Sequence, residues 1–394
     1  MGSASIWYCC EKNVGGERLK VAEELKKTPL YETHLKYGGR IIDFEGWALP
    51  VHFTSIKEEH HACRNAAALW DVSDMGELLI EGPEALDLLQ MLLTNDISKG
   101  YPGRVIYSPM CYPNGGVVDD MMVICLKNGG YLLVINAGNI EKDYEWVSGA
   151  ARYFRDVTVK NISKETAEVA LQGPNSERIL QRLTNYPLSE MKYYHGAEDV
   201  YVDGIKCLIT RTGYTGEDGF EVYCDAADGP ALFDSIMEAG QDDGLVPAGL
   251  GCRDTLRFEA SMPLYGQELD ANHGPLGAGL GRFVAFGKGT FFVGAKALME
   301  EREKGLKAKL VGLEMLERGI ARTGYKVFDE SGSKELGYIT TGSYVPTLDK
   351  NLAMAYVPVD FSQLGTKVTV DVRGKKVLAQ VVKMPFYRRE AKKK

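Results

Sequence analysis

GVVDDMMVICLKNGGYLLVINA, residues 116–137, holds two β-rich runs around Asn128 and Gly129. Asn-Gly between apolar runs is a strong short-range hairpin signal, because both central turn positions favour residues that tolerate positive φ. A helix over EKDYEWVSGAARYF (141–154) and a short strand VTVKNI (157–162) follow. Upstream, ELLIEG (77–82) reads as a strand, and Pro83 suits the first turn of a helix whose leucines in EALDLLQMLL share one face, ending near Thr94. Helices alternating with antiparallel hairpins predict α+β layers rather than a doubly wound parallel sheet.

The same grammar recurs at 168–183. EVALQGPNSERILQRL again gives an apolar strand, a Gly-Pro turn and a helix, with Ile179, Leu180 and Leu183 as its apolar positions. Two related α+β units are expected from this echo. SIKEEHHACRNAAAL (55–69) opens with Ser55 three residues before Glu58, a capping-box pattern. Beyond about residue 307 the texture changes to KLVGLEM, TGYKVFD, ELGYITTGSY, LAMAYVP and TKVTVDVRGKKVLAQVVK. Short β segments separated by Gly, Pro, Asp and Asn predict a separate antiparallel, barrel-like C-terminal domain.

With 394 residues the chain exceeds the size at which one core keeps growing, so two or three domains are expected. Hydrophobic residues at 45% and charged ones at 25% exclude a disordered chain. A net charge of −8, with Lys and Arg dispersed rather than gathered in a stripe, disfavours nucleic acid and acidic membrane as partners. No run approaches the apolar length of a membrane span, and MGSASIWYCCEKN has neither a basic n-region nor an apolar h-region. Ile6 also breaks the myristoylation pattern. A cytoplasmic location is the expectation; a mitochondrial one would need a transit peptide that this stretch does not display. The eight cysteines form no CxxC pair, which suits buried thiols in a reducing compartment. His52, His60, His61 and Cys63 lie close in sequence, but His60 and His61 point about 100° apart on a helix, so solvated histidines are expected rather than a zinc site. GPLGAGLG (274–281) lacks the βαβ context of a dinucleotide loop.

Several polar positions demand more. LTNDISKG (93–100) puts Asp96 where the chain leaves a helix, a place for an Asx-turn or a functional carboxylate. VIYSPMCYPNGGVVDD (105–120) brings Tyr107, Asn114, Asp119 and Asp120 beside Gly115 and Gly116, as turn residues or as a ligand wall. TRTGYTGEDGFEV (210–222) crowds Arg211, Glu217, Asp218 and Glu221 among Gly213, Gly216 and Gly219, and Glu221 enters a strand where an apolar residue is natural. A carboxylate there is either exposed to solvent or an acceptor for an amino-pyrimidine edge. GLGCRDTLRFEASMPLYGQELD (249–270) is helical in period; Arg253 offers a planar fork for a carboxylate, while Arg257 and Glu259 suit ties between elements.

Together these residues resemble the folate-dependent aminomethyltransferases, the T-protein family of the glycine cleavage system. The resemblance runs from TPLYETHLKYGGRIIDFEGWALPVHF through LLTNDIS, IYSPMCYPNGGVVDD, TRTGYTGEDGFEV and RDTLRFEASMPLYGQELD to VVKMPFYR, over roughly residues 27–388. It implies an α+β, three-domain cloverleaf-like arrangement around a folate channel. After an uninformative extension (1–26), a first folate-binding domain would take 27–75 and 165–275, a second 76–164, and the β-rich domain 285–390. It also implies that Glu221 engages the pterin, Arg253 the folate carboxylates and Asp96 the reacting nitrogens, with Tyr107, Asn114 and Tyr387 contributing to the folate pocket. Tetrahydrofolate would be co-substrate and the lipoyl-bearing H-protein the donor, with neither a metal nor bound PLP. Two positions depart from the family: Asp74 in DVSDMG, where DVSHMG is common, and Gly277 in PLGAGL, where an acid is common. Both are candidates for a substrate passage, and they keep open a relative that takes a methyl group from a small N-, O- or S-methyl donor.

Overall fold

A computed structural model describes residues 25–390. Cys9, Cys10 and the myristoylation and leader readings fall outside the described residues. In chain order, helix α1 (Tyr31–Lys36) is followed by strands β1 (Ile41–Phe44) and β2 (Trp47–Pro50), α2 (Ile56–Asn65), β3 (Ala67–Asp71), β4 (Gly76–Glu81), α3 (Ala85–Leu92), β5 (Val105–Cys111), β6 (Val117–Cys125), β7 (Tyr131–Ile135) and α4 (Ile140–Ala151). Next come β8 (Thr158–Asn161), β9 (Thr166–Gln172), α5 (Ser176–Gln181), β10 (Gly196–Val202), β11 (Ile205–Thr210), β12 (Gly219–Asp225), α6 (Gly229–Gly240), β13 (Leu245–Pro247) and α7 (Leu250–Glu259). The chain ends with α8 (Ala295–Lys304) and β14 (Ala308–Met315), β15 (Lys326–Asp329), β16 (Glu335–Val345), β17 (Lys350–Pro358), β18 (Lys367–Val372) and β19 (Lys375–Val382). The fold is α+β, as expected.

Two compact units divide the described chain: one of residues 25–89, 97–107 and 121–254, the other of 90–96, 108–120 and 255–390. The first unit is built on a six-stranded sheet of order β10-β11-β12-β9-β3-β13. Along β12, Phe220, Val222 and Cys224 join a core with Leu69, Val169 and Leu171, against which α5 packs Ile179 and Leu180 and α6 packs Leu232, Phe233 and Ile236. The pleat sends Glu221 and Tyr223 to the opposite face. Tyr223 packs there among Ile124, Leu132 and Val134 of the hairpin β6–β7. That hairpin pairs Cys125 with Tyr131, and Gly129 in its turn has φ +83°.

The repeated strand–Gly-Pro–helix grammar has one backbone solution used twice. Gly82 and Gly173 adopt φ of +114° and +126°, and a Cβ on Gly173 would lie 2.6 Å from the Ala66 carbonyl oxygen while one on Gly82 would lie 2.3 Å from that of Asp156. Both glycines are therefore required for conformation and for space. The N-cap is formed as well: Glu58 N–H donates to Ser55 Oγ at 3.2 Å, and the Ser55 hydroxyl donates back to Glu58 Oε2 at 2.9 Å.

In the second unit the C-terminal strands close into an antiparallel barrel of order β14-β17-β16-β15-β18-β19. β14 pairs with both β17 and β19, so no sheet edge is left open. Leu313, Val327, Ile339, Ala353, Ala355 and Val368 fill it. Arg257 and Glu268, both buried, pair at 2.9 Å, and Thr341 Oγ1 donates to Glu268 at 2.6 Å. Glu259 accepts from Thr347 N–H at 2.9 Å. Arg257 and Glu259 thus tie elements together, as their positions suggested. GPLGAGLG folds into successive turns ahead of a short 3-10 helix, Gly281–Phe283, which is not the strand–loop–helix of a dinucleotide site.

Six described cysteines, Cys63, Cys111, Cys125, Cys207, Cys224 and Cys252, are buried free thiols. His60 corrects the expectation of solvated histidines: it is fully buried, whereas His52 and His61 are partly exposed. Among the described residues, no group of three or more His, Cys, Asp or Glu is disposed to hold a metal ion, and no helix is long and apolar enough to cross a membrane.

Gly173→Ala should destabilise the protein by about 3 kcal/mol, combining backbone strain with overpacking. A urea midpoint equal to that of the parent would show that the Ala66–Cys63 backbone yields easily.

Candidate functional site

The polar face of the six-stranded sheet carries the site of the first unit. Register places Glu221 opposite Ala170 and Tyr223 opposite Glu168, while Trp70 lies opposite Ala170 on the other side of β9. Trp70, Val72, Ala170, Gln172, Tyr214, Thr215, Glu221 and Arg253 line one recess. Its walls are aromatic: the Arg253 guanidinium lies 5.1 Å over the Tyr214 ring, and Trp70 Nε1 donates to the Gly249 carbonyl at 3.0 Å. Glu221 accepts a short hydrogen bond from Thr212, whose own hydroxyl pairs with Thr210 at 2.5 Å.

The glycine-rich stretch divides into struts and one acid that lines the recess. Arg211 bonds Asp218 at 2.6 and 3.0 Å and Glu177 at 2.6 Å, and also donates to the carbonyls of Leu188 and Met191. Glu217 pairs with buried Arg64 at 2.9 Å. Only Glu221 of the four charged side chains lines the recess. The glycines make room chiefly for Gln172: a Cβ on Gly213 would lie 1.9 Å from its amide oxygen, and one on Gly219 would lie 2.4 Å from its nitrogen. Gln172 Nε2 donates to the Thr212 carbonyl, and Gln172 Oε1 accepts from Thr215, each at 3.0 Å.

Behind Glu221 the first unit buries further acids that the sequence reading did not single out. Glu168 is held by the Tyr223 hydroxyl, and burial first, then the Glu221 and Glu77 carboxyls, pushes its pKa well above the ordinary value. Neither oxygen of fully buried Glu77 has a hydrogen-bond partner among the described residues, and burial with the neighbouring Asp74 raises it likewise. Burial raises Glu221 against the opposing effects of Thr212 and Arg253. Asp74 is pushed up to about 6 by burial, with Arg253 pulling down and Asp71 pushing up. Arg253 is thus the cation shared by Glu221, Glu168 and Asp74. Burial thus shifts these carboxyl groups toward the protonated form, most strongly at Glu168 and Glu77. The available signal was the Glu168–Ala170–Gln172 alternation, which puts an acid on the face of Glu221.

The other candidates are distributed as follows. Tyr107, on β5, belongs to the first unit and is partly exposed. In the second unit, Asp96 is buried and accepts from Gln90 Nε2 at 2.9 Å, while its N–H donates to Asn95 Oδ1 at 2.8 Å. Asn114 is exposed and acts as a turn residue, accepting from Gly116 N–H at 3.0 Å and donating to the Ala271 carbonyl at 3.2 Å. Tyr387 N–H donates to the Glu259 carbonyl at 2.8 Å. Gly277 lines a cleft of about 500 Å³ with His273, Lys304, Lys307 and Tyr356, where His273 stacks on Tyr356 at 4.5 Å. A Cβ on Gly277 would meet nothing closer than 3.5 Å, so neither crowding nor backbone forces glycine there. The structure therefore groups Glu221, Arg253 and Asp74 in the first unit, and Asp96, Asn114, Tyr387 and Gly277 within the second.

Sequence and structure comparisons identify the family. The profile of the GCVT N-terminal domain matches residues 30–288, and that of the glycine cleavage T-protein C-terminal barrel domain matches residues 309–388. The chain is 51% identical to the aminomethyltransferase of Geobacillus sp. (strain WCH70) over 365 residues, covering 93% of this chain and 99% of that one. It is 53% identical to the aminomethyltransferase of Moorella thermoacetica over 369 residues, covering 94% and 100%. The crystal structure of glycine cleavage system aminomethyltransferase T from Bartonella henselae superposes with a TM-score of 0.85 at 33% identity, covering 92% of this chain and 98% of that one.

An acid with a raised folded pKa binds more protons in the folded than in the unfolded state, so stability falls as pH rises from the unfolded value through the folded one. For Asp74 that window runs from its ordinary 3.8 to about 6. The parent should lose up to about 3 kcal/mol across it, and Asp74→Asn should remove that part of the slope in urea titrations. Parallel slopes for the two proteins would mean that Asp74 stays ionised.

Proposed function

The chain belongs to the glycine cleavage T-protein family of aminomethyltransferases, and from that premise we propose that it transfers a one-carbon unit from the aminomethylated lipoyl arm of H-protein to tetrahydrofolate. The products are 5,10-methylenetetrahydrofolate, ammonia and the dihydrolipoyl protein. In the balanced reaction the carbon loses its bonds to sulfur and to the amine nitrogen and gains two bonds to folate nitrogens. The two protons leaving those nitrogens end on ammonia and on the lipoyl thiol.

The observation that carries this reading is the set of side chains gathered around a narrow recess of about 10 Å³ on the polar sheet face. Trp70 and Tyr214 offer flat apolar surface, Glu221 an acceptor for an amino-pyrimidine edge, and Arg253 a cation for a carboxylate. These residue types suit a pterin bearing a glutamate tail better than a phosphorylated dinucleotide. Tyr107, Asn114 and Tyr387 are assigned supporting folate contacts by their positions in the family motifs.

Asp96 is assigned to the reacting centre. A carboxylate near nitrogen on which positive charge develops stabilises that charge and fixes the nucleophile without forming an adduct. Gln90 already restrains one of its oxygens, so little reorganisation is required at the moment of reaction. The folate-assigned residues hold and orient; no metal or bound PLP enters the scheme.

The deciding experiment mixes purified protein, tetrahydrofolate and H-protein carrying the aminomethyl group, and follows 5,10-methylenetetrahydrofolate. Formation on the timescale of a known T-protein supports the proposal. Folate binding without transfer from H-protein, together with transfer from a small methylated donor, overturns it. Asp96→Asn should keep folate affinity and lower turnover by about 10²–10³-fold; unchanged turnover would remove Asp96 from the chemistry.

A further inference from the structure

The segment after the leucine helix is laced to a second strand of chain within the second unit. Thr94 Oγ1 donates to the Phe283 carbonyl at 2.9 Å. The N–H groups of Ala285 and Val293 donate to the carbonyls of Thr94 and Met91, each at 2.9 Å. Between these ties lies Lys288. Its ammonium donates to the carbonyl oxygens of Gln90 at 2.7 Å, Leu93 at 2.6 Å and Asn95 at 3.1 Å.

An ammonium has three N–H donors, and here three backbone acceptors meet them. Of those acceptors, Gln90 lies in the last turn of α3 and Leu93 directly follows it, where carbonyls lack intrahelical partners and carry negative partial charge. Gln90 is held twice: Lys288 takes its carbonyl, and its side-chain amide holds Asp96 Oδ1 at 2.9 Å. Asn95, the third acceptor, immediately precedes Asp96.

We propose that Lys288 is the positioning residue for Asp96, its ammonium clamping the 90–95 backbone so that the carboxylate is presented in its reacting orientation. The inference rests on the role given to Asp96 above. It also specifies a protonation requirement, because a neutral amine has two N–H groups for three carbonyls and must release one. Burial lowers Lys288 to about 8, against the opposing pull of Asp96, and the Phe292 ring lies 4.8 Å from its ammonium. The clamp is complete below that pH and loosens above it.

The test measures kcat, folate Kd and the pH dependence of kcat for the parent, Lys288→Met, Lys288→Arg and Asp96→Asn. Lys288→Met should lower kcat by up to about 10²-fold, as misplacement of a reacting group does, while folate Kd stays within about twofold. Parent kcat should fall on the alkaline side of about pH 8. Lys288→Arg, with a cation that does not titrate in this range, should recover part of the loss and shift that fall to higher pH. Adding Lys288→Met to Asp96→Asn should cost little more. Full turnover in Lys288→Met beside an inactive Asp96→Asn overturns the clamp and spares Asp96. Full turnover in Asp96→Asn removes the reading on which the clamp rests. An equal loss of kcat and folate affinity makes Lys288 a general strut and overturns the proposal. If Lys288→Met fails to fold, a parent kcat that stays level through about pH 9 does the same.

Discussion

The two-residue pleat of β12 against β9 is the constraint on which the first unit depends. One face must be apolar, because Phe220 and Val222 meet the side chains of α5 and α6. The other face is then released from that demand and can hold Glu221, Tyr223, Glu168 and Gln172. A slip of one residue in register would exchange the two faces, burying acids against leucines. The struts around the preceding loop fix that register: Arg211 joins it to Asp218 and Glu177, and Arg64 joins it to Glu217. The packing core and the polar recess are therefore opposite consequences of one strand pairing.

Charge is handled differently in the two units. In the first, several carboxyl groups share one guanidinium, and burial raises their pKa values while Arg253 opposes the rise. In the second, the acid assigned to chemistry stands beside a lysine that spends its three donors on backbone carbonyls. Backbone carries the local order there and the side-chain charge supports it. Neither arrangement is a surface ion pair, so salt should change each less than it changes exposed pairs such as Lys304–Glu300.

Much of this was legible in the sequence because it is local. The Asn128–Gly129 hairpin, the Ser55 cap, the Gly-Pro turns and the β texture of the barrel are each set by residues a few positions apart. Arg257 and Glu259 were readable as ties from their helical spacing. Glu77 and Lys288 were not, and Glu168 only through its strand alternation, since each gains its role from partners far along the chain: Glu168 from Tyr223 across a strand pair, Lys288 from carbonyls nearly two hundred positions earlier. The crowding of Arg211, Glu217 and Asp218 near Glu221 gave no separate role to each; their partners on Glu177, Arg64 and the loop itself make three of the four structural. His60 was misread for the same reason: its helix turns it inward, which charge and spacing alone do not reveal.

The six buried thiols carry a further consequence. Burial pushes Cys111, Cys207 and Cys224 up to about 12 and Cys125 up to about 11, so the nucleophilic thiolate is scarce in the native protein at neutral pH. They are spread over both units, Cys111 in one and Cys125, Cys207 and Cys224 in the other. Alkylation of each therefore reports the opening of its own surroundings, which makes the native chain its own set of chemical clocks: site-resolved labelling rates distinguish opening of the sheet layers from opening around Cys111 without any added probe.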